Sequence, residues 1–428
     1  MTKKKKQHIG RVLMISEHAD PVARPGSKEV GGQNVYVRDL ARELGRQGWK
    51  VDVFTRWDNR TKKQVIKFAK NCRVIRIRSG PRQYIPRDHL FEYLPEFVDN
   101  IVAFKTESKL TYKIIHAHYW MSGWSALKLG QLWNIPVITT YHSLGYVRYH
   151  TLKLHKEQSL NSEFFKFRVR WEKELGKQGT ILSTSPFEKK DLVKYYATDP
   201  VQIEVVPAGI NLAMFYPIRL HLARKKIEIP LDAHLVLYVG RLEWRKGIGT
   251  LLYAIPKMLD DSPELKKTLK VVIVGRYSSG FERDEYKRLR AIARHLGIER
   301  YIIFVGSKDR SEVKYYYSAA NVCVVPSYYE PFGLVPLEAF ACGCPVVASK
   351  VGGLQFTVQD KYLGRLVRPR DPDALSNAIR EVLDSNDKYR HDVRRYSKLE
   401  LVKKFSWQSV ASQVSGCYTK LIKKKKFG

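Results

Sequence analysis

Short apolar runs alternate with amphipathic stretches along most of the chain, which is how strands followed by helices read. The run over 11–16 predicts a buried strand. A polar loop over 17–29 and the pair Gly31-Gly32 follow, then a helix whose apolar positions Val35, Val37, Leu40, Ala41 and Leu44 lead to Gly48. A second strand is expected over 50–55. Strands over 73–78, 114–118, 137–141, 180–185 and 201–206 continue the pattern, with helices over 90–105, 122–133, 163–176 and 186–196. No hairpin signal is evident, so the alternation predicts a parallel sheet covered on both faces.

After a linker through 215–217 and a basic helical piece over 219–226, the alternation restarts. Strands are expected over 235–239, 270–274 and 301–305, and helices over 250–259, 284–296 and 311–319. The apolar run Val322-Cys323-Val324-Val325 ends at Pro326; a helix over 372–385 and a last one over 406–423 follow. The expected fold class is α/β, with domains 1–215 and 216–405 and a final helix and basic tail, 406–428. Ligands of such sheets bind outside the carboxyl ends of the strands.

Composition narrows the picture. A chain of 428 residues that is 44% hydrophobic and 12% aromatic builds packed domains, and no 18-residue apolar run predicts a membrane span. The lysines at 3–6 lead straight into a strand rather than into a signal peptide. Five unpatterned cysteines fit a reducing, cytoplasmic setting. The formal net charge of +34 favours an anionic partner, whether a nucleotide, acidic lipid or nucleic acid. The lysine clusters at 3–6 and 423–426 offer peripheral contact with an anionic membrane at its inner face, although solvated tails are the preferred reading. Neither zinc-finger spacing nor an aromatic-basic ribonucleoprotein signature is present, which disfavours a nucleic-acid-binding protein.

The candidate chemistry sits where strands end. In Ser327-Tyr328-Tyr329-Glu330-Pro331-Phe332-Gly333-Leu334-Val335-Pro336-Leu337-Glu338, two carboxylates bracket a turn whose backbone N–H groups suit an anion or a sugar hydroxyl. A helix starting near Pro336 would place Glu338 in its first turn. Gly240-Arg241 and Lys246-Gly247 carry two cations at another strand end, suited to a diphosphate. No G-x-G-x-x-G is present, which removes support for a dinucleotide cofactor. Asp371-Pro372-Asp373 reads as the cap of a helix rather than a metal pair. No nucleophile–base pair stands out.

Taken together, Gly31-Gly32-Gln33-Asn34-Val35-Tyr36-Val37, His116-Ala117-His118-Tyr119-Trp120, Gly240-Arg241 with Lys246-Gly247, and Glu330-Pro331-Phe332-Gly333-Leu334 with Glu338 resemble the retaining family 4 glycosyltransferases. Within that family the chain is similar to sucrose-phosphate synthases and to the inositol-phosphate N-acetylglucosaminyltransferases of mycothiol synthesis. They share the Gly-Gly-x-x-Val-Tyr-Val stretch and a His-Ser/Thr-Leu segment, here His142-Ser143-Leu144. The resemblance implies the GT-B fold: two Rossmann-like domains with parallel sheets facing across a deep cleft, and a C-terminal helix crossing back to the first.

It also implies roles. Glu338 would hold the ribose, and Glu330, Phe332, Gly333 and Leu334 the donor sugar and its phosphate. Arg241 and Lys246 would stabilise the leaving diphosphate, Gly31 and Gly32 would admit the same phosphates, and His142 would reach the transferred sugar. His118 would line the acceptor side, with Arg87 and Arg170 contacting an acceptor phosphate. The expected reaction is retaining hexosyl transfer from a nucleotide sugar such as UDP-glucose to a sugar phosphate. Attack is on the front face, and neither a cofactor nor a catalytic metal is required. The alternative acceptor is lipid-linked or polymeric, in which case exposed aromatics such as Trp120 and Trp124 would matter. Gly275-Arg276-Tyr277 departs from the family pattern and leaves the nucleotide base open.

Overall fold

The computed structural model describes residues 9–23, 31–153, 162–277, 280–358 and 362–427. The lysines at 3–6 and residues 24–29 of the loop over 17–29 lie outside that set. The chain divides into two compact units, residues 1–209 with 407–428, and residues 210–406.

The first unit is an eight-stranded sheet in the order β3-β4-β2-β1-β5-β6-β7-β8. Its strands are β1 (Gly10–Ile15), β2 (Trp49–Arg56), β3 (Val65–Ala69), β4 (Cys72–Ile77), β5 (Ile114–His118), β6 (Val137–Thr140), β7 (Thr180–Ser183) and β8 (Ile203–Val205). All described pairings are parallel except one: β3 and β4 form an antiparallel hairpin at the sheet edge, against the expectation of an uninterrupted parallel sheet. The signal was Asn71, whose left-handed backbone (φ 60°) closes the turn. Central strands are buried end to end, as parallel sheets demand. Strand order reverses between β1 and β5, which opens a crevice at their carboxyl ends.

The returning segment completes this unit. The helix Trp407–Phe427 packs along the helix Gly32–Gln47. Val410, Ala411, Val414 and Tyr418 are fully buried, the Trp49 indole donates to Ser415 Oγ at 2.9 Å, and the Tyr418 hydroxyl meets His116 Nδ1 at 2.6 Å.

The second unit is a six-stranded parallel sheet in the order β11-β10-β9-β12-β13-β14. Its strands are β9 (His234–Val239), β10 (Leu269–Val274), β11 (Ile302–Gly306), β12 (Val322–Val325), β13 (Val346–Ser349) and β14 (Gly364–Val367). Here the order reverses between β9 and β12, the two strands that carry the Arg241 and Glu330 loops. The helix Pro372–Asp384 is capped by Asp371, whose side chain accepts from the Ala374 N–H at 2.9 Å. The reading of that Asp as a cap holds.

Candidate active site

In the second unit the switch point brings two loops into direct contact. After β9 the chain passes Gly240 and Arg241, makes a single turn over Trp244–Lys246, and enters the helix Ile248–Asp261 through Gly247. Gly247 has a left-handed backbone (φ 69°), and a Cβ there would overlap the Pro326 carbonyl at the end of β12. Only glycine allows that approach. The Tyr328 N–H then donates to the Arg245 carbonyl at 2.8 Å, fastening the loops together. The result is an ion pair between Lys246 Nζ and Glu330 Oε2 at 2.6 Å, with both side chains mostly buried. Arg241 remains more open and pairs with Glu243 at 2.6 Å.

The helix after Glu330 runs Leu334–Ala341, two residues earlier than expected, so Glu338 lies in its second turn rather than its first. Gly333 supplies the left-handed entry (φ 89°), and Pro336 is tolerated because first-turn N–H groups have no helical partner. Gly352 and Gly353 pack flush against the Glu330–Phe332 backbone, where any Cβ would collide, and the Gly353 N–H donates to the Glu330 carbonyl at 3.0 Å. Phe332, Gly333 and Leu334 thus sit on a backed, rigid turn. Glu338 is buried and engaged: Arg310 Nη2 donates to Oε1 at 2.7 Å and the Tyr317 hydroxyl to Oε2 at 3.1 Å. Both donors come from the helix Arg310–Ala319. Arg224 and Arg390 hold the carboxyl end of that helix through the carbonyls of Ser318, Ala319 and Ala320.

In the first unit β5 ends in His118, and His142 follows two residues after the end of β6. His118 Nδ1 and His142 Nε2 are 3.0 Å apart, and Tyr36 presents its ring to both. His142 and Tyr119 hold positive φ angles of 60° and 84°, backbone strain of the kind concentrated at functional sites. Burial lowers the pKa values of His116 and His142 to about 3 and that of His118 well below the usual range, with neighbouring imidazoles adding to the shift for His118 and His142. All three are neutral at physiological pH. His118 Nε2 is buried and has no described hydrogen-bond partner. Gly31 caps the helix Gly32–Gln47 with extended backbone, and a Cβ on Gly32 would meet nothing within 4 Å. The surface there is open.

The acceptor-side cations separate. Arg87 lies in the short turn Arg87–His89, with its guanidinium 5.5 Å from the Tyr119 ring centre. Arg170 is exposed and lines an outer groove with Trp124, Lys128 and Trp171. Two residues earlier, a rotation of about 200° around a helix, Arg168 points inward. It is fully buried, 4.8 Å from the Tyr119 ring centre, and donates to the Ser143 carbonyl and, at 3.0 Å, to Ser143 Oγ. Its Nε pairs with the fully buried Glu172 at 2.7 Å. Burial opposes its charge, but Glu172 and nearby tyrosines outweigh that and keep it ionised. Nη1 is buried without a described partner, as is the Tyr119 hydroxyl. Such orphans are rare and mark a place for a polar ligand or water. Sequence reasoning missed Arg168 because Arg168-x3-Glu172 and Arg170-x3-Glu174 have equal spacing. The distinguishing signal was Leu175, one heptad beyond Arg168 and buried. Trp120, expected to be exposed, is fully buried.

Two parallel α/β units of this kind, each with its polar residues at a switch point, make the GT-B architecture of glycosyltransferases, and solved structures share it. Residues 30–214 match the family described as Glycosyltransferase Family 4, and residues 221–400 that described as Glycosyl transferases group 1. A D-inositol 3-phosphate glycosyltransferase of Corynebacterium glutamicum is 34% identical over 417 residues, covering 96% of this chain and 97% of the relative. The sucrose-phosphate synthase of Thermosynechococcus elongatus superposes with a TM-score of 0.87 at 38% identity, covering 97% of this chain and all of the other. Anabaena HepE, solved in complex with UDP-glucose, shares the fold at a TM-score of 0.72 and 17% identity, covering 96% of this chain and all of the other. The chain belongs to the family 4, group 1 glycosyltransferases.

Proposed function

We propose that the protein is a retaining transferase that moves a hexosyl group from a nucleotide sugar, a UDP-sugar in the first instance, to a hydroxyl of a phosphorylated sugar or cyclitol. The observation that carries this reading is Arg168: an ionised, buried guanidinium whose Nη1 has no partner among the described residues, beside Arg87, the Tyr119 hydroxyl and Ser143. A phosphate dianion matches that set of donors in charge and geometry. The names of the two most informative relatives point the same way, one to inositol 3-phosphate and the other to sucrose phosphate.

In the second unit, Glu330 and the turn Phe332-Gly333-Leu334 accept and donate to the donor sugar and phosphate, and Glu338 takes the ribose. Lys246 and Arg241 stabilise the diphosphate as the anomeric C–O bond breaks and its electrons pass to the departing oxygen. The acceptor hydroxyl bonds to the anomeric carbon on the same face and gives its proton to that oxygen, so no protein base or metal is required. Neutral His142, steadied by His118, hydrogen-bonds the transferred sugar. Gly31 and Gly32 leave room for the phosphates.

The test is steady-state kinetics with UDP-glucose, UDP-N-acetylglucosamine and matched phosphorylated and dephosphorylated acceptors. Arg168→Met and Arg87→Ala should each raise KM for the phosphorylated acceptor about 10- to 100-fold, the range for a lost charge-assisted hydrogen bond, with donor KM unchanged. Lys246→Ala should lower kcat about 10²- to 10³-fold. Equal turnover of dephosphorylated acceptors would overturn the phosphate reading.

A further inference from the structure

The arrangement around Glu338 has more content than a carboxylate beside a nucleotide. A carboxylate offers about four acceptor positions, two on each oxygen. In this protein one position on Oε1 is filled by Arg310 Nη2 at 2.7 Å and one on Oε2 by the Tyr317 hydroxyl at 3.1 Å. No other described side chain bonds to either oxygen. One acceptor position therefore remains on each of the two carboxylate oxygens. Two vicinal hydroxyls of a ribose present two O–H donors at matching separation. One hydroxyl would leave a buried acceptor unpaired, a loss of the kind that gives polar sites their strongest discrimination.

The donors are built to stay. Tyr317 is fully buried, and burial together with Glu338 raises its phenol well above the ordinary range, so it remains an O–H donor. Arg310 opens a helix whose preceding residue, Asp309, forms a reciprocal capping box with Glu312, and its guanidinium lies 5.2 Å from the Phe215 ring centre. The far end of the same helix is gripped by Arg224 and Arg390. The helix is anchored at both ends, and both of its donors converge on one carboxylate.

We propose that Arg310 and Tyr317 are specificity-determining positioning residues: by occupying half of the acceptor capacity of Glu338 they orient it to accept two adjacent hydroxyls, and so select ribonucleoside over 2′-deoxyribonucleoside diphosphates. The inference rests on the proposed role of Glu338 in holding the ribose.

The experiment titrates the full chain by calorimetry with whichever of UDP, GDP and ADP binds most tightly, and with its 2′-deoxy counterpart. The wild-type protein should prefer the ribonucleotide about tenfold or more. Arg310→Gln and Tyr317→Phe should each reduce that ratio several-fold, and Glu338→Gln should abolish it. Arg310→Lys should recover part of it. A merely structural role for Arg310 would weaken both nucleotides equally and leave the ratio intact. Loss of the ratio in Glu338→Gln with an unchanged ratio in both Arg310→Gln and Tyr317→Phe overturns the inference and spares the ribose reading. A ratio that survives Glu338→Gln overturns both. Should Arg310→Gln not fold, Tyr317→Phe, which removes a single oxygen, decides the outcome on the same ratio.

Discussion

His116, His118 and His142 form a column of neutral imidazoles, and their depressed pKa values have a defined consequence for stability. In the unfolded chain each would titrate near 6.5, whereas in the folded protein burial holds His116 and His142 near 3 and His118 well below its usual value. Between those limits the unfolded state binds more protons, so stability is complete above about pH 6.5 and is lost as pH falls toward the folded values. The slope is about 1.4 kcal/mol per pH unit for each fully buried histidine. Thermal unfolding measured from pH 7.5 to 4.5 should therefore show Tm dropping steeply below pH 6.5. His116→Gln should flatten that slope while lowering Tm at neutral pH, because it loses partners in Tyr418 and Thr140. Activity should show no inflection from these imidazoles between pH 6 and 9. An equal slope in the variant would mean that the acid sensitivity lies elsewhere.

The elements that matter most are two loops made to touch by one glycine. Gly247→Ala forces a side chain into the Pro326 carbonyl at a positive φ. The expected cost is at least about 1–3 kcal/mol, read as a lower midpoint in urea, together with a fall in kcat as Lys246 and Glu330 part. Unaltered stability would show that the loops have slack. Most strands were legible because Val- and Ile-rich runs bounded by turn residues hardly read otherwise, as in Val322 to Val325 or Val12 to Ile15. The β3–β4 hairpin was not, since its only punctuation is Asn71 between unremarkable residues. The strand Gly364–Val367 was also missed: Arg365 interrupts its apolar run, and its place at the sheet edge leaves it half-exposed. Of the candidate site, the loop motifs were plain from residue order. The pairing of Glu338 with Arg310 and Tyr317, and of Arg168 with Ser143 and Tyr119, depends on tertiary packing that no local pattern encodes. That Arg168 is buried and Arg170 exposed is a matter of helix phase.

At the scale of the whole molecule, the first unit is assembled from two stretches of chain separated by the entire second unit. A chain ended at Ser406 would expose the seat of Val410, Val414 and Tyr418 and leave His116 Nδ1 without its partner. Hydrogen exchange should then show β1, β2 and β5 losing protection while β9, β10 and β12 keep theirs, and a peptide spanning 407–427 should restore it in trans. Intact protection in β5 would show that the helix is only an appendage. The same arrangement sets a timetable during synthesis. The ribosome delivers residues 1–209 first, yet their last structural member emerges only after residues 210–406 have followed. The second unit is continuous and can close as soon as it is made, so the earlier-born half must wait, its Trp49 and His116 uncovered, for the later one to finish. The order in which the two units are completed is thus expected to run against the order of translation, and the waiting half is where chaperones would be expected to bind.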